Sequence, residues 1–253
     1  MALGTITANS IVATAVGTVS NLTTGSSGVR VSNTIASTDS GWQTSLAPWA
    51  SADLTANTPY DFVARGRNAD GVETIDCDPE TAWTLSAPPT ADNVTPDKPC
   101  ATVNASIVWT AVGGFGAGTI EYYLYAWDQS PTNIWTGLEP LWLSGTLATS
   151  PTATGSWYLH VQGYNGDDIA NGTHDYAVTA GVPVATDYDN DCDVDQADFN
   201  LFKACLSGSD IPYIGGCGSK NLDGDGDVDL SDFGLFQRCF SGENNPANPN
   251  CAN

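Results

Sequence analysis

Leu54-Thr-Ala-Asn-Thr-Pro-Tyr60-Asp-Phe62-Val-Ala64-Arg-Gly-Arg-Asn68-Ala-Asp-Gly71 is the stretch on which the fold turns. Its centre, PYDFVARGRN, is a short apolar alternation set between Asn, Thr and Pro on one side and Asn, Asp and Gly on the other, which reads as a strand bounded by turns. The rhythm continues outward, through GTITA, SIVATAV, GVRVSNTI and SGWQTS before it and TAWTLS after it. Several brief strands at a spacing of about 8–12 residues indicate an antiparallel sandwich over residues 1–88.

Beyond it, Ala87-Pro-Pro-Thr-Ala-Asp-Asn-Val-Thr-Pro-Asp-Lys-Pro99 reads as a semi-rigid connector. SIVWTAV, TIEYYLYAW, WLSGTL, GSWYLHVQGYN and DYAVTAG then give a second set of strands, and a second sandwich is expected over 89–182. It carries Trp109, Trp127, Trp135, Trp142 and Trp157. Core packing is the expected role of these aromatics, with a carbohydrate-stacking surface as the alternative. His160, between Leu159 and Val161, is expected to be structural.

The chain has 253 residues, 29 acidic groups and 7 basic ones, for a formal charge of −22. Nucleic acid is thereby excluded as a partner, because a phosphate-binding site needs a Lys/Arg footprint to displace counterions. Anionic membrane surfaces are disfavoured in the same way. No run approaches about 18 apolar residues, so no segment is expected to span a bilayer. The opening MALGTITANSIVATAV lacks a basic segment and alternates as a strand, so no secretory leader is expected in it. Seven cysteines beside one methionine fit a secreted protein, extracellular or at the cell surface. Without a C-x-x-C or a Cys/His cluster, zinc is not expected.

The third region, 183–253, has another rhythm. Asp187-Tyr-Asp189-Asn-Asp191-Cys-Asp193-Val-Asp195-Gln-Ala-Asp198-Phe199 recurs 34 residues later as Asn221-Leu-Asp223-Gly-Asp225-Gly-Asp227-Val-Asp229-Leu-Ser-Asp232-Phe233. Of the 22 aligned positions from Asp187–Gly208 to Asn221–Gly242, 12 are identical. Carboxylates at loop positions 1, 3, 5, 9 and 12 repel one another in a tight turn unless a multivalent cation neutralises them. A hard cation with six to eight oxygen ligands meets that need, which selects Ca2+, one ion per loop. Position 7 contributes a backbone carbonyl, at Asp193 and Asp227. Position 6 needs a sharp turn, supplied by Gly226 in the second loop but occupied by Cys192 in the first. Asn221 at position 1 of the second loop still offers an oxygen, with one charge fewer.

After each loop comes Phe-x-Leu-Phe-x-x-Cys-x-Ser-Gly, at Phe199 to Gly208 and Phe233 to Gly242. The spacing places Phe199, Phe202 and Leu206 on one helical face, with Gly208 as the stop. Loop and short helix, twice, resembles a dockerin module of type I in the form met in planctomycete proteins. The aspartates Asp198 and Asp232 at position 12, where ordinary EF-hands carry glutamate, strengthen that resemblance. It implies two calcium F-hand loops, and partner recognition through Gln196, Ala197 and Lys203 in one copy and Leu230, Ser231, Gln237 and Arg238 in the other. These residues differ between the copies and depart from the Ser-Thr of cellulosomal dockerins. The stretch around Tyr60 in turn resembles the E–F corner of a fibronectin type III domain, in which a tyrosine hydroxyl ties the corner to the backbone. The second sandwich is expected to be Ig-like, and the fold as a whole mainly β.

Cys205 and Cys217 stand 12 apart, as do Cys239 and Cys251, which predicts two symmetric disulfides. Cys77 and Cys100 flank the connector and are expected to join, leaving Cys192 over. Asn21, Asn93, Asn104 and Asn171 open N-x-S/T sequons and are glycosylation candidates. The five glutamates, Glu73, Glu80, Glu121, Glu139 and Glu243, and the two histidines, His160 and His174, form no recognisable catalytic set. The sequence therefore points to a non-catalytic secreted structural or assembly protein. Its expected partners are other protein chains, through self-assembly into a fibre or surface layer or through a cohesin-like partner. Attachment to polysaccharide within a secreted degrading system is the alternative.

Overall fold

The computed structural model describes residues 1–243 and 245–251. The first seven strands are β1 (Ala2–Ile6), β2 (Ile11–Thr14), β3 (Gly28–Asn33), β4 (Thr38–Asp39), β5 (Trp49–Ser51), β6 (Pro59–Arg67) and β7 (Glu80–Trp83). They form two antiparallel sheets, ordered β1-β2-β5 and β4-β3-β6-β7. The period-2 pattern turns Ile11 and Ala13 of one sheet toward Val31, Tyr60 and Phe62 of the other, and these side chains are the core of the sandwich. Tyr60 Oη accepts the Thr55 N–H at 2.9 Å, so the hydroxyl ties the corner to the backbone as the resemblance implied.

The next eight strands are β8 (Val94–Pro96), β9 (Cys100–Thr102), β10 (Ile107–Ala111), β11 (Tyr122–Asp128), β12 (Leu141–Trp142), β13 (Thr146–Thr149), β14 (Gly155–Tyr164) and β15 (Ala170–Gly181). Sheets β13-β10-β8 and β12-β11-β14-β15-β9 face each other. Every pairing is antiparallel except β9 with β15. Trp109 is completely enclosed, and its Nε1 donates to Thr149 Oγ1 at 2.9 Å, which satisfies the one polar atom that its burial would otherwise strand. Trp142 and Trp157 are also buried, and Trp127 stacks on Trp157, so four of the five tryptophans pack in or against the core.

The proline-bearing stretch expected to be a semi-rigid connector is in part a strand of the second sandwich. Val94–Pro96 is strand β8, Ala87 N donates to Thr119 O, and Tyr176 Oη donates to Thr90 O. Further contacts lock the two sandwiches directly. The fully buried Asn57 donates from Nδ2 to Gly116 O (2.9 Å) and Glu121 Oε2 (3.1 Å) and accepts Gly166 N–H on Oδ1 (2.9 Å). The equally buried Asn165 donates to Thr84 O at 3.0 Å. Gly166 is required there, since a Cβ on it would meet the Trp83 ring at 2.6 Å.

The C-terminal part holds two helices, α1 (Gln196–Lys203) and α2 (Leu230–Cys239). Around them Val184, Val194, Phe202, Val228 and Phe236 make a small core of their own. Phe202 and Phe236 stack across it with ring centroids 5.3 Å apart. Leu206 does not join this face. The helix ends at the Ala204 cap and leaves Leu206 about half exposed, because the apolar spacing outlasts the helix by a turn. Among the described residues, no helix is long and apolar enough to cross a membrane.

Three disulfides are present: Cys100–Cys192, Cys205–Cys217 and Cys239–Cys251. The expected Cys77–Cys100 bond does not form, and Cys192 is not left over. Cys77 is the free, exposed thiol, held beside β6, where its N–H donates to Ala64 O and its Sγ accepts from Ala64 N. Cys100 lies in β9, paired with the end of β15, where Gly181 leaves room for the Cys192 side chain: a Cβ on that glycine would stand 3.0 Å from Cys192 Sγ. Spanning 92 residues, this bond closes a long loop, worth about 4–5 kcal/mol in the chain-entropy account.

Candidate metal centre

The two acidic loops have the same backbone. Position 4 is left-handed in each (Asn190 φ +64°, Gly224 φ +82°), as is position 6 (Cys192 φ +79°, Gly226 φ +104°). Position 9 caps the following helix. Asp195 accepts the Ala197 N–H and Asp229 the Ser231 N–H, each at 2.7 Å, and the position-12 carboxylates close a capping box by accepting the Asp195 and Asp229 N–H groups. With its other oxygen each position-12 aspartate reaches back across the loop, Asp198 to the N–H of Tyr188 and Asp232 to that of Leu222, both at 2.5 Å. A carboxylate that starts the helix thus also gathers the start of its own loop.

The repeats complete each other. Val194 and Val228, at position 8, are fully buried. The N–H of Val194 donates to Ser241 Oγ, and its carbonyl accepts from Ser241 N and Gly242 N. Val228 makes the same three bonds with Ser207 and Gly208. The repeated Ser-Gly therefore fastens the opposite loop, giving the pair a local two-fold relation.

Within the first loop one oxygen from each of Asp187, Asp189 and Asp191 falls within a 4.8 Å cluster, and so does one from each of Asp193, Asp195 and Asp198. In the second loop Asp227, Asp229 and Asp232 gather likewise, while Asp223 and Asp225 join no such triad and Asn221 Oδ1 accepts from Gly224 N. Burial pushes the Asp187 carboxyl up to about 6; the Cys192 N–H opposes this and the charges of Asp198 and Asp191 add to it. Asp189, Asp198 and Asp227 are raised too, with desolvation the leading cause in each. Asp227 is 5% exposed, and its Oδ1 is enclosed without a hydrogen-bond donor; Asp189 Oδ1 is in the same position. Enclosed, crowded carboxylates with stranded oxygens resist ionisation unless a cation stands among them. The donor set is all oxygen, which suits a hard divalent ion.

The other candidates are placed as follows. Asn21 and Asn104 are exposed, each with positive φ. Asn93 accepts on Oδ1 from Thr90 N and Oγ1. Asn171 lies at the joint between the sandwiches, its Nδ2 donating to Ser86 O at 2.6 Å. His160 is fully buried, with Nδ1 2.6 Å from Asp175 and Nε2 3.4 Å from Asp128 on the neighbouring strands. Sequence reasoning missed the asparagine joint and the Cys100–Cys192 bond. The second had left a trace, the cysteine at a position where the repeat has glycine.

No family model matches the chain, and no curated protein matches it. Among solved structures it is similar to the FN1–FN3 domains of chicken CNTN1, at 12% identity and TM-score 0.30, covering 72% of this chain and 66% of that one. It is also similar to the fibronectin(III)-like modules of Clostridium thermocellum CbhA, at 17% identity and TM-score 0.30, covering 70% of this chain and 87% of that one.

Proposed function

We propose that residues 183–253 form a dockerin-like module holding two calcium ions, and that the chain is a non-catalytic extracellular assembly protein in which two sandwiches carry this module toward another protein chain. The observation that carries the reading is the pair of acidic loops with clustered, raised carboxyls and with the Oδ1 atoms of Asp189 and Asp227 enclosed without a donor. In the first loop Asp187, Asp189, Asp191, Asp195, Asp198 and the Asp193 carbonyl would hold the ion; in the second, Asn221, Asp223, Asp225, Asp229, Asp232 and the Asp227 carbonyl. The bound ion supplies positive charge that offsets the mutual repulsion of these groups. The chain does the rest. Asp195 and Asp229 start the helices, and Val194 and Val228 bind each loop to the other helix's exit. A groove of about 450 Å³ between the helices, lined by Gln196, Phe199, Phe233, Phe236, Gln237 and Phe240, offers an apolar seat beside two of the recognition positions that the dockerin resemblance names. Three disulfides accord with an oxidising, extracellular setting.

Calorimetric titration of the full chain with calcium tests the reading, and uptake of two ions is expected. At free calcium 100-fold above the dissociation constant, a site binding only the folded state adds about 2.7 kcal/mol. Chelation is therefore expected to lower the melting of the C-terminal module while the sandwiches melt nearly unchanged. Identical melts with and without chelator, together with no calcium uptake, refute it.

A further inference from the structure

The two loops share a backbone but not an environment. Loop positions 3, 4 and 6 of the first are held by β9 and the residue pair before it: Lys98 Nζ donates to Asp189 O (3.2 Å), Thr102 N and Oγ1 donate to the oxygens of Asn190 (3.4 and 3.2 Å), and Cys100 is bonded to Cys192. Their counterparts in the second, Asp223, Gly224 and Gly226, are exposed, and a Cβ on either glycine would meet nothing within 4 Å. Asp187 is 5% exposed, whereas Asn221 at the same loop position is only half-buried. The clearest difference is at position 6. Glycine adopts positive φ at no steric cost, so Gly226 makes its turn unaided. Cys192 at φ +79° is in a region that residues with a Cβ avoid, and it persists there because its sulfur is fastened to the sandwich and its carbonyl accepts the Ala247 N–H at 3.0 Å.

We infer that Lys98, Cys100 and Thr102 of the second sandwich are positioning residues for the first calcium loop. By fixing its backbone from outside, they reduce the ordering that ion binding would otherwise require, so the first loop binds calcium more tightly than the second and loses that advantage when the tether is cut. Coupling between sites is reciprocal: an ion in the first loop holds the helical module against the sandwich, while an ion in the second leaves that joint alone. The inference rests on the calcium reading above.

The test is a calcium titration of the full chain, with the amide signals of Cys192 and Gly226 followed by NMR to report each loop separately. In Cys100→Ser, the first loop is expected to weaken on the order of tenfold, with the second loop within about twofold of its original affinity. Lys98→Met with Thr102→Val, which keeps the disulfide, is expected to weaken the first loop alone by a smaller factor, and covers the case in which Cys100→Ser fails to fold. Adding Cys192→Gly to Cys100→Ser restores the residue type that the repeat uses, and is expected to recover part of the loss. Unchanged affinities in every variant, or equal weakening of both loops, overturn the inference. Failure of the calcium reading itself shows differently, as a wild-type chain that takes up no ion.

Discussion

Replacing Asn57 tests whether the two sandwiches behave as one stiff body. Its side chain makes three hydrogen bonds across the joint, to Gly116 O, Glu121 Oε2 and from Gly166 N, with no exposure to solvent. Asn57→Ala deletes all three, although Glu121 and Gly166 are exposed residues whose groups water can take up. At about 1 kcal/mol for each bond, the loss is about 3 kcal/mol. The residue also sits at φ +46°, where alanine costs roughly another 1 kcal/mol. Asn57→Gly removes the same bonds without that backbone cost, so it isolates the hydrogen-bond part. Scanning calorimetry is the assay: the wild type is expected to melt its sandwiches in one coupled transition, and Asn57→Ala to fall by about 4 kcal/mol and separate them. A variant within about 0.5 kcal/mol of wild type, melting in the same single transition, would show that the joint is held by something other than this side chain.

The metal-free module should respond to acid in an unusual direction. Asp187 has its folded value raised to about 6 against an ordinary 3.8, so the folded state binds the proton more tightly, and stability falls as pH climbs between those values. In chelator, the C-terminal melt is therefore expected to be higher at pH 4.5 than at pH 7, and a melt that rises steadily over that window contradicts the burial of Asp187. For the thiols, native alkylation without reductant is expected to label Cys77 alone and leave six cysteines to be found in the three disulfides; label on Cys192, or a Cys77–Cys100 peptide, would overturn the pairing.

The sandwiches were readable because their strands bury alternate residues, and alternation survives in sequence: Tyr60 and Phe62 point inward as the pattern of 54–71 required. The acidic loops were readable for a similar reason, since position-by-position repetition exposes a shared backbone. What could not be read was long-range. Asn57 and Asn165 look like ordinary turn residues, and only the folded chain shows them buried against each other's sandwich. Proline content suggested a connector at 87–99, but β8 forms there because strand β10 lies alongside to receive it. Cys192 was visible as a departure from glycine, but which of several cysteines it would meet depended on the parallel pairing of β9 with β15.

The exchange of Ser-Gly between the repeats has a temporal consequence. The first acidic loop precedes its fastener, Ser241, by 47 residues, so a growing polypeptide emerging from the ribosome cannot finish that loop when it appears. Both halves must wait for the second helix to be translated, after which they close together. Such late, simultaneous completion means that neither repeat reaches its finished form before its twin exists.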